Sequence, residues 1–493
     1  MLSLGYDIGS SFIKCSILDV ESGTVAAHGS YPSEEMKIHS PQPGWAEQDP
    51  ELWWDHLKTL TRELVQKNRI DAAAIRSIGI SYQMHGLVVV DENCRVLRSS
   101  IIWCDSRAVG IGDSALNALG SEYCLQHLLN APGNFTASKL RWVRENEPDL
   151  YKKIHKVMLP GDFIAMKLTG EISTTLSGLS EGIFWDFRNN TISEDILTIY
   201  DIDRELLPVL HPTFSIQGFL TKFSAQDLGL IKGTPVSYRA GDQLNNAFSL
   251  NVLQPGETAA TAGTSGVVYG VMDNVNYDPL SRVNSFAHVN HTDRQTRLGV
   301  LLCINGTGIL NSWLRKYIGS AVTYEEMNHL ASCIPMGSEG ISILPFGNGA
   351  ERMLENKNIG CQVFGVDFNR HTHAHLYRAA QEGIAFSFKY GIDLMSKMGL
   401  EMKVLRAGKA NMFLSPVFVQ TLSTLIGASI ELYDTDGAQG AARGAAVGVG
   451  YAASYAEGLK SLHKIDEIHP HEEESERILS AYDVWLMRLK IFL

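Results

Sequence analysis

Two segments far apart in the chain carry the residue types that a triphosphate requires. The first is Tyr6-Asp7-Ile8-Gly9-Ser10-Ser11-Phe12-Ile13-Lys14, and the second is Ala262-Gly263-Thr264-Ser265-Gly266-Val267-Val268. Each sets glycine and small hydroxyl residues between two apolar, β-prone runs. A γ-phosphate and its Mg²⁺ need backbone donors, hydroxyls and at least one carboxylate. Gly9 permits a tight turn, while Ser10 and Ser11 offer hydroxyls and N–H groups. Asp7, at a strand end, suits Mg²⁺ directly or through water. Lys14 lies seven residues on and is placed to return toward the same anion. Taken alone, the first segment reads equally well as an ordinary hairpin turn. The second, with Gly263, Thr264 and Ser265 in the same context, favours a phosphate grip from two related halves.

A third turn, Arg406-Ala407-Gly408-Lys409-Ala410-Asn411, follows a strand and precedes a helix. It could take the adenine and ribose through Gly408, Lys409 and Asn411, or be a plain connection. Arg239-Ala240-Gly241-Asp242-Gln243 lies between the two phosphate segments. Transfer to an alcohol needs a group that orients the hydroxyl and takes its proton. Asp242 suits that work, and it is equally a fit N-cap for a helix starting at Gln243.

Ser81-Tyr82-Gln83-Met84-His85-Gly86 ends a strand in a predicted turn. Gln83 and His85 could bond a polyol, with Met84 as an apolar wall, although a lone histidine there is more often structural. In Trp103-Cys104-Asp105-Ser106-Arg107 the indole of Trp103 is a sugar-stacking surface and Asp105 a polar rim. The alternative is a surface Asp–Arg pair of little worth. His371, His373 and His375 open a long helix, where residues two apart diverge, so a solvated face is expected rather than a metal site.

These residues need rigid supports. Leu2–Asp7, Phe12–Val20 and Thr24–His28 read as a strand meander, followed by a helix from Pro50 to Gln66 capped by Asp49. Strands follow at 74–82, 87–91 and 99–103. The second half repeats the order, with a hairpin at 258–272 and a strand at 296–304. Helices follow near 307–317, 323–332 and 372–398. Strand 404–407, helix 415–426, strand 429–433 and a Gly/Ala-rich helix at 439–453 end the series. Two α/β lobes of similar topology are expected, with the boundary after Asn246: 1–246 for sugar and 247–493 for nucleotide.

The 493 residues exceed one hydrophobic core. A net charge of -12 argues against nucleic acid or an anionic membrane as partner. No apolar run is long enough to span a membrane, and no signal peptide is recognisable. The seven cysteines lack any C-x-x-C spacing and read as reduced, mostly buried thiols of a cytoplasmic enzyme.

Taken together, these segments resemble the FGGY family of carbohydrate kinases, nearest to its xylulose-phosphorylating branch. Pro43-Gly44-Trp45-Ala46-Glu47-Gln48-Asp49-Pro50-Glu51-Leu52-Trp53-Trp54 and Gln83-Met84-His85-Gly86 are similar to that branch. So are Phe135-Thr136-Ala137-Ser138-Lys139-Leu140, Leu159-Pro160-Gly161-Asp162-Phe163, Gly241-Asp242-Gln243 and Gly349-Ala350-Glu351-Arg352. The resemblance implies an α/β fold of two ribonuclease-H-like lobes, of the actin/Hsp70/hexokinase type, with the active site in a cleft between them. It implies ATP and Mg²⁺, transfer to the 5-hydroxyl of D-xylulose, Asp242 as general base, and Asp7 at metal and phosphate. Met84 and His85 would touch sugar, with Gln243 beside them. A homodimer is a family-level expectation.

The chain departs from the family pattern in three places. Leu244, Asn245 and Asn246 follow the Asp-Gln, and their amides could alter which polyol fits. Thr175 and Gly178 stand where acidic residues are common, and Arg406–Asn411 replaces a Gly-Gly-Gly-Ala loop. Ribulose, gluconate, glycerol or an unusual ketose are the rival substrates. A non-catalytic actin- or Hsp70-like ATPase module would lack the sugar turn and show no sugar-dependent ADP formation.

Overall fold

The computed structural model describes residues 1–319 and 322–493. The chain forms two units that are not contiguous in sequence. The first comprises Met1–Leu253, Phe286–Leu298 and Thr435–Leu462. The second comprises Gln254–Ser285, Gly299–Asp434 and His463–Leu493. Among the described residues no helix is long and apolar enough to cross a membrane.

In the first unit the meander is β1 (Leu2–Ile8), β2 (Ile13–Asp19) and β3 (Val25–Tyr31). It is joined by β4 (Ile75–Tyr82), β5 (Phe214–Phe219) and β6 (Pro235–Gly241). The sheet order is β5-β6-β4-β1-β2-β3. β1, β4 and β6 are parallel and end level, with Ile8 opposite Tyr82 and Tyr82 opposite Gly241. Carboxyl ends of adjacent parallel strands are where open α/β sheets place ligands. On this sheet Gly9-Ser10-Ser11, Gln83-Met84-His85 and Asp242-Gln243 all leave from that end.

One face is covered by the helix Pro50–Lys67, whose Trp53, Leu57 and Leu60 are buried with Ile17 and Ile80 in one apolar cluster. Asp49 caps it by accepting from Glu51 N at 3.0 Å. The helix Gly437–Gly448 packs on the same sheet although it comes near the chain's end. Its seat is made by missing side chains. A Cβ on Gly5 would stand 1.9 Å from Ala438 O, one on Gly79 2.0 Å from Ala441 O, and one on Gly448 1.8 Å from Ser237 O. Ser3 Oγ donates to Ala442 O at 2.6 Å and Ser237 Oγ to Ala445 O at 2.8 Å. The Gly/Ala-rich helix expected in the second half therefore belongs to the first unit, because Gly5 and Gly79 admit its Ala438 and Ala441 backbone while its own Gly444 and Gly448 admit Tyr238 and Ser237 of β6.

In the second unit β7 (Glu257–Ala262) and β8 (Gly266–Met272) form the expected hairpin. β9 (Leu298–Ile304), β10 (Val404–Gly408), β11 (Ile430–Tyr433) and β12 (Lys464–Ile468) extend the sheet in the order β9-β8-β7-β10-β11-β12. The helix His373–Lys397 runs through its core, where Phe388 and Met395 cluster with Val268, Leu302, Phe418 and Trp485. His375 is buried, with its Nδ1 3.1 Å from Thr372 N at the helix start. That corrects the expected solvated face at this position: the ring turns back as the N3 acceptor of a capping box. Among the described residues no group of three or more His, Cys, Asp or Glu side chains is placed to hold a metal.

No two cysteines form a disulfide, and only Cys15 and Cys124 are buried, against the expectation of mostly buried thiols. Cys104, Cys303, Cys333 and Cys361 are exposed, on turns and strand faces that sequence patterning does not resolve.

Candidate active site

Asp7 sits one residue before the end of β1, opposite Lys14 on β2 and Ser81 on β4. Ser81 Oγ donates to Asp7 Oδ1 at 3.0 Å, and Lys14 Nζ lies 3.7 Å from Oδ2. Gly437 opens the space beside it, since a Cβ there would stand 2.8 Å from Asp7 Cγ and Oδ2. Gly437 is the first residue of its helix, whose N-terminal N–H groups favour negative charge. Asp436 caps that helix by accepting from Gln439 N at 2.8 Å. Burial first, and the Asp7 charge as well, hold Asp436 above the ordinary carboxylate range. Asp436 was not singled out in the sequence, where it looks like a routine cap.

Asp242 opens the helix Asp242–Ser249, with Gly241 at the cap position. The expected N-cap role therefore falls to Gly241, and the Asp242 side chain is left to the site. Its carboxyl is pushed up to about 7, by burial first and then by the neighbouring Asp7 charge. Hydrogen bonds from Gln243 and the charge of Lys14 act the other way. A carboxyl poised near neutrality is suited to exchanging a proton at cellular pH. Asn245 is fully buried and donates to Gly437 O at 2.8 Å. It anchors the returning helix instead of facing a polyol, so that part of the expected departure is structural.

The turn after β4 is buttressed on several sides. Gln83 N donates to Ile8 O at 2.9 Å, and Gln83 Oε1 is buried without a hydrogen bond. Met84 is buried against Gly241, where a Cβ would stand 2.6 Å from Met84 Cγ. His85 takes a left-handed backbone, φ 61. Its Nδ1 lies 2.9 Å from Glu181 O. A carbonyl only accepts, so Nδ1 carries a proton. Phe135 meets the His85 ring edge-on at 5.0 Å. Lys139, fully buried, donates to His85 O at 2.8 Å and to Ile102 O at 3.0 Å, and burial lowers its ammonium to about 7.

Gln48 ties the Pro43–Trp54 segment to this end of the sheet. Its Nε2 donates to Ser10 O at 2.7 Å and its Oε1 accepts from Trp53 Nε1 at 3.1 Å. Gly9 N donates to Phe12 O at 3.1 Å, closing the first turn. Ser11 O accepts from Met36 N at 2.9 Å. Trp103 is 53% exposed and donates to Ser10 Oγ at 3.3 Å, which joins it to that turn.

Asp105 corrects the reading of a polar rim. It is 1% exposed, and its oxygens accept from Ala46 N at 2.6 Å and from Arg107 Nε at 2.9 and 3.0 Å. The Arg107 guanidinium stacks 3.8 Å from the Trp45 ring centre and 4.8 Å from that of Trp142. This is a buried fork-to-carboxylate pair, neither a rim nor a surface pair.

In the second unit a cavity of about 400 Å³ is lined by Gly263, Thr264, Gly308, Asn311, Asn328 and Asn411, with other residues. Gly263 O and Thr264 O accept from Gly308 N at 3.0 Å and Ile309 N at 3.1 Å, which pins the hairpin turn to the start of the helix Gly308–Tyr317. Asn311 Oδ1 is buried there without a partner. Ser415 Oγ donates to Gln381 Oε1 at 2.6 Å, and Gln381 Nε2 to Asn328 Oδ1 at 2.9 Å, which turns the Asn328 amide by a fixed relay. Ser265 is exposed on the turn, and Gly408 closes β10. Lys409 faces Asp466 at 3.5 Å. None of these three lines the cavity, whereas Gly308, Asn311 and Asn328, which line it, carried no motif to mark them.

The chain matches the N-terminal domain of the FGGY family of carbohydrate kinases over residues 2–249 and its C-terminal domain over 258–453. This chain belongs to that family. It is an enzyme that phosphorylates a sugar, with ATP as donor. The kinase is 28% identical to a xylulose kinase of Staphylococcus epidermidis, over 97% of this chain and 94% of that one. Its fold is that of the xylulose kinase of Rhodospirillum rubrum (TM-score 0.89, 23% identity, 100% and 99% of the two chains). It is also that of a gluconate kinase of Lactobacillus acidophilus (TM-score 0.90, 20% identity, 100% of this chain and 98% of that one). The fold class implied by the resemblance, α/β of the actin/Hsp70/hexokinase type, is therefore the observed one.

Proposed function

We propose that this kinase transfers the γ-phosphoryl group of ATP to the 5-hydroxyl of D-xylulose, giving D-xylulose 5-phosphate. The observation that carries the chemistry is Asp242, a carboxyl near neutrality at the end of β6 beside the Met84–His85 turn. The sugar reading is supported by relatives that bear the name xylulose kinase. The sugar binds at the turn after β4, with the His85 ring beside its hydroxyls, and Met84 and Trp103 as its apolar walls. Gln83 Oε1, buried and unpartnered, is a second acceptor. Asp242 orients the hydroxyl that is phosphorylated and takes its proton, with Gln243 holding its carboxyl.

In the first unit the turn of Gly9, Ser10 and Ser11 is a phosphate-binding turn, and in the second unit the turn of Gly263, Thr264 and Ser265 is another. The base occupies the cavity lined by Asn311, Asn328 and Asn411. Asp7 fits Mg²⁺. It is a strand-end carboxylate with a Cβ-free space beside it, and Mg²⁺ is commonly held by one or two carboxylates plus phosphate and water. When bound there, Mg²⁺ offsets charge on the β- and γ-oxygens. Lys14 stays close enough to help hold the γ-phosphate.

The test is ADP release against a panel of D-xylulose, ribulose, gluconate, glycerol and other ketoses. The highest kcat/KM is expected with D-xylulose. A clear preference for another sugar overturns the substrate, and ADP release independent of every sugar overturns the role of the turn after β4.

A further inference from the structure

Glu181 ends the short helix Leu176–Glu181 and is 1% exposed. Two of the turns discussed above meet on it. Its backbone carbonyl is the partner of His85 Nδ1 at 2.9 Å. Its carboxyl lies against Gly241, where a Cβ would stand 2.8 Å from Glu181 Oε2. Both carboxyl oxygens are buried without a fully formed hydrogen bond, and so is the Tyr82 hydroxyl. Tyr82 OH and the His85 N–H are the donors that face it. An unsatisfied buried polar group is destabilising. Core packing would be served better by leucine, so the carboxyl calls for a reason beyond packing.

We propose that Glu181 is a positioning residue for phosphoryl transfer: its side chain seats the Gly241–Asp242 turn while its carbonyl aims the His85 ring. The spacing between base and sugar is thereby set by one residue. The inference rests on the function proposed above for Asp242 and His85.

The charge state fits this role. Burial, and after it the charges of Asp242 and Asp162, hold the Glu181 carboxyl well above its ordinary range, against the pull of Tyr82 and His85. A neutral carboxyl can both donate and accept, and it adds no second negative charge next to Asp242. Gly241 is required by the same arrangement, since any side chain there collides with Oε2 and with Met84.

The test compares Glu181→Gln with Glu181→Ala in the full-length enzyme. Gln keeps shape, donor and acceptor, so kcat and both KM values should stay within about threefold of wild type. Ala should raise the sugar KM and lower kcat about 10- to 100-fold with the ATP KM unchanged, as expected for displaced reacting groups. If Glu181→Ala does not fold, Glu181→Leu, of similar bulk, carries the same test. Wild-type kinetics in a folded Ala or Leu variant overturns the proposal, and so does a loss that falls on the ATP KM.

Two readouts need no turnover. The infrared difference between wild type and Glu181→Gln at pH 7 should show the carbonyl stretch of a protonated carboxyl, and the His85 ring signal in nitrogen NMR should move in Glu181→Ala. If no sugar elicits ADP, the proposed function fails. If instead the infrared band is missing or the ring signal is unmoved, the inference about Glu181 fails.

Discussion

Gly437 stands where any side chain would collide with the Asp7 carboxylate: an added Cβ would lie 2.8 Å from Asp7 Oδ2. The position is a helix start with no positive φ, so conformation alone does not demand glycine there. Gly437→Ala should therefore act through Asp7. We expect kcat to fall at least tenfold with a raised Mg²⁺ requirement, since displacement by about 1 Å can cost about 10²-fold. A magnesium titration of initial rates checks this, and unchanged rates would remove Asp7 from the mechanism.

Asp242→Asn keeps the shape and removes the proton acceptor. Turnover should fall about 10²–10⁴-fold, with the ATP KM close to wild type. Steady-state kinetics with both substrates varied decides it. Full turnover in the variant would mean that another group takes the proton.

The same carboxyl makes a stability prediction. Its folded-state value, about 7, is above the ordinary 3.8, so the folded protein binds this proton more tightly than the unfolded chain. Its contribution is intact below about 4 and is lost as pH climbs through about 7. Without metal or nucleotide, Asp242→Asn should have a higher Tm than wild type at pH 8 and the same Tm at pH 4. Equal Tm values at both pH values would contradict the burial argument.

Gly5→Ala and Gly79→Ala should be among the most destabilising single-methyl changes in the chain. Their Cβ atoms would meet helix carbonyl oxygens at 1.9 and 2.0 Å, and backbone cannot swing aside as a side chain can. Overpacking costs about 1–3 kcal/mol and sometimes more. Gly110→Ala is the control. It lies inside the helix Val109–Leu119 with nothing within 4 Å, and should stabilise by about 0.5–1 kcal/mol. Urea midpoints for the three variants provide the comparison.

Asn411 lines the second-unit cavity in a left-handed conformation, φ 54, beside Gly263. Asn411→Gly retains that conformation and deletes the amide. The ATP KM should rise about three- to tenfold, in line with one lost hydrogen bond of about 1 kcal/mol, while the sugar KM stays put. A change confined to the sugar KM would move the nucleotide elsewhere.

The parts legible in the sequence were those with local chemistry. Glycine and hydroxyl residues between β-prone runs gave both hairpin turns, and Gly241-Asp242-Gln243 stood out as a carboxylate at a strand end. The parts not legible depend on long-range meetings. Asp105 and Arg107 look like a surface pair until Trp45 and Trp142, distant in sequence, close over the guanidinium. Glu181 reads as an unremarkable helix end, because its neighbours Tyr82, His85 and Gly241 come from other elements. Asn311 and Asn328 lie on helices whose pattern signals only amphipathicity.

The helix Gly437–Gly448 has a further consequence for biosynthesis. Most of the first unit is translated early, yet the groove formed by Gly5 and Gly79 stays unfilled until residues 437–448 have been made. A nascent chain arrested after Asp434 would carry every residue of the sugar turn and of β1–β6 and still present an open apolar sheet face. Termination just after Asp434 should therefore damage the unit that holds Met1–Leu253.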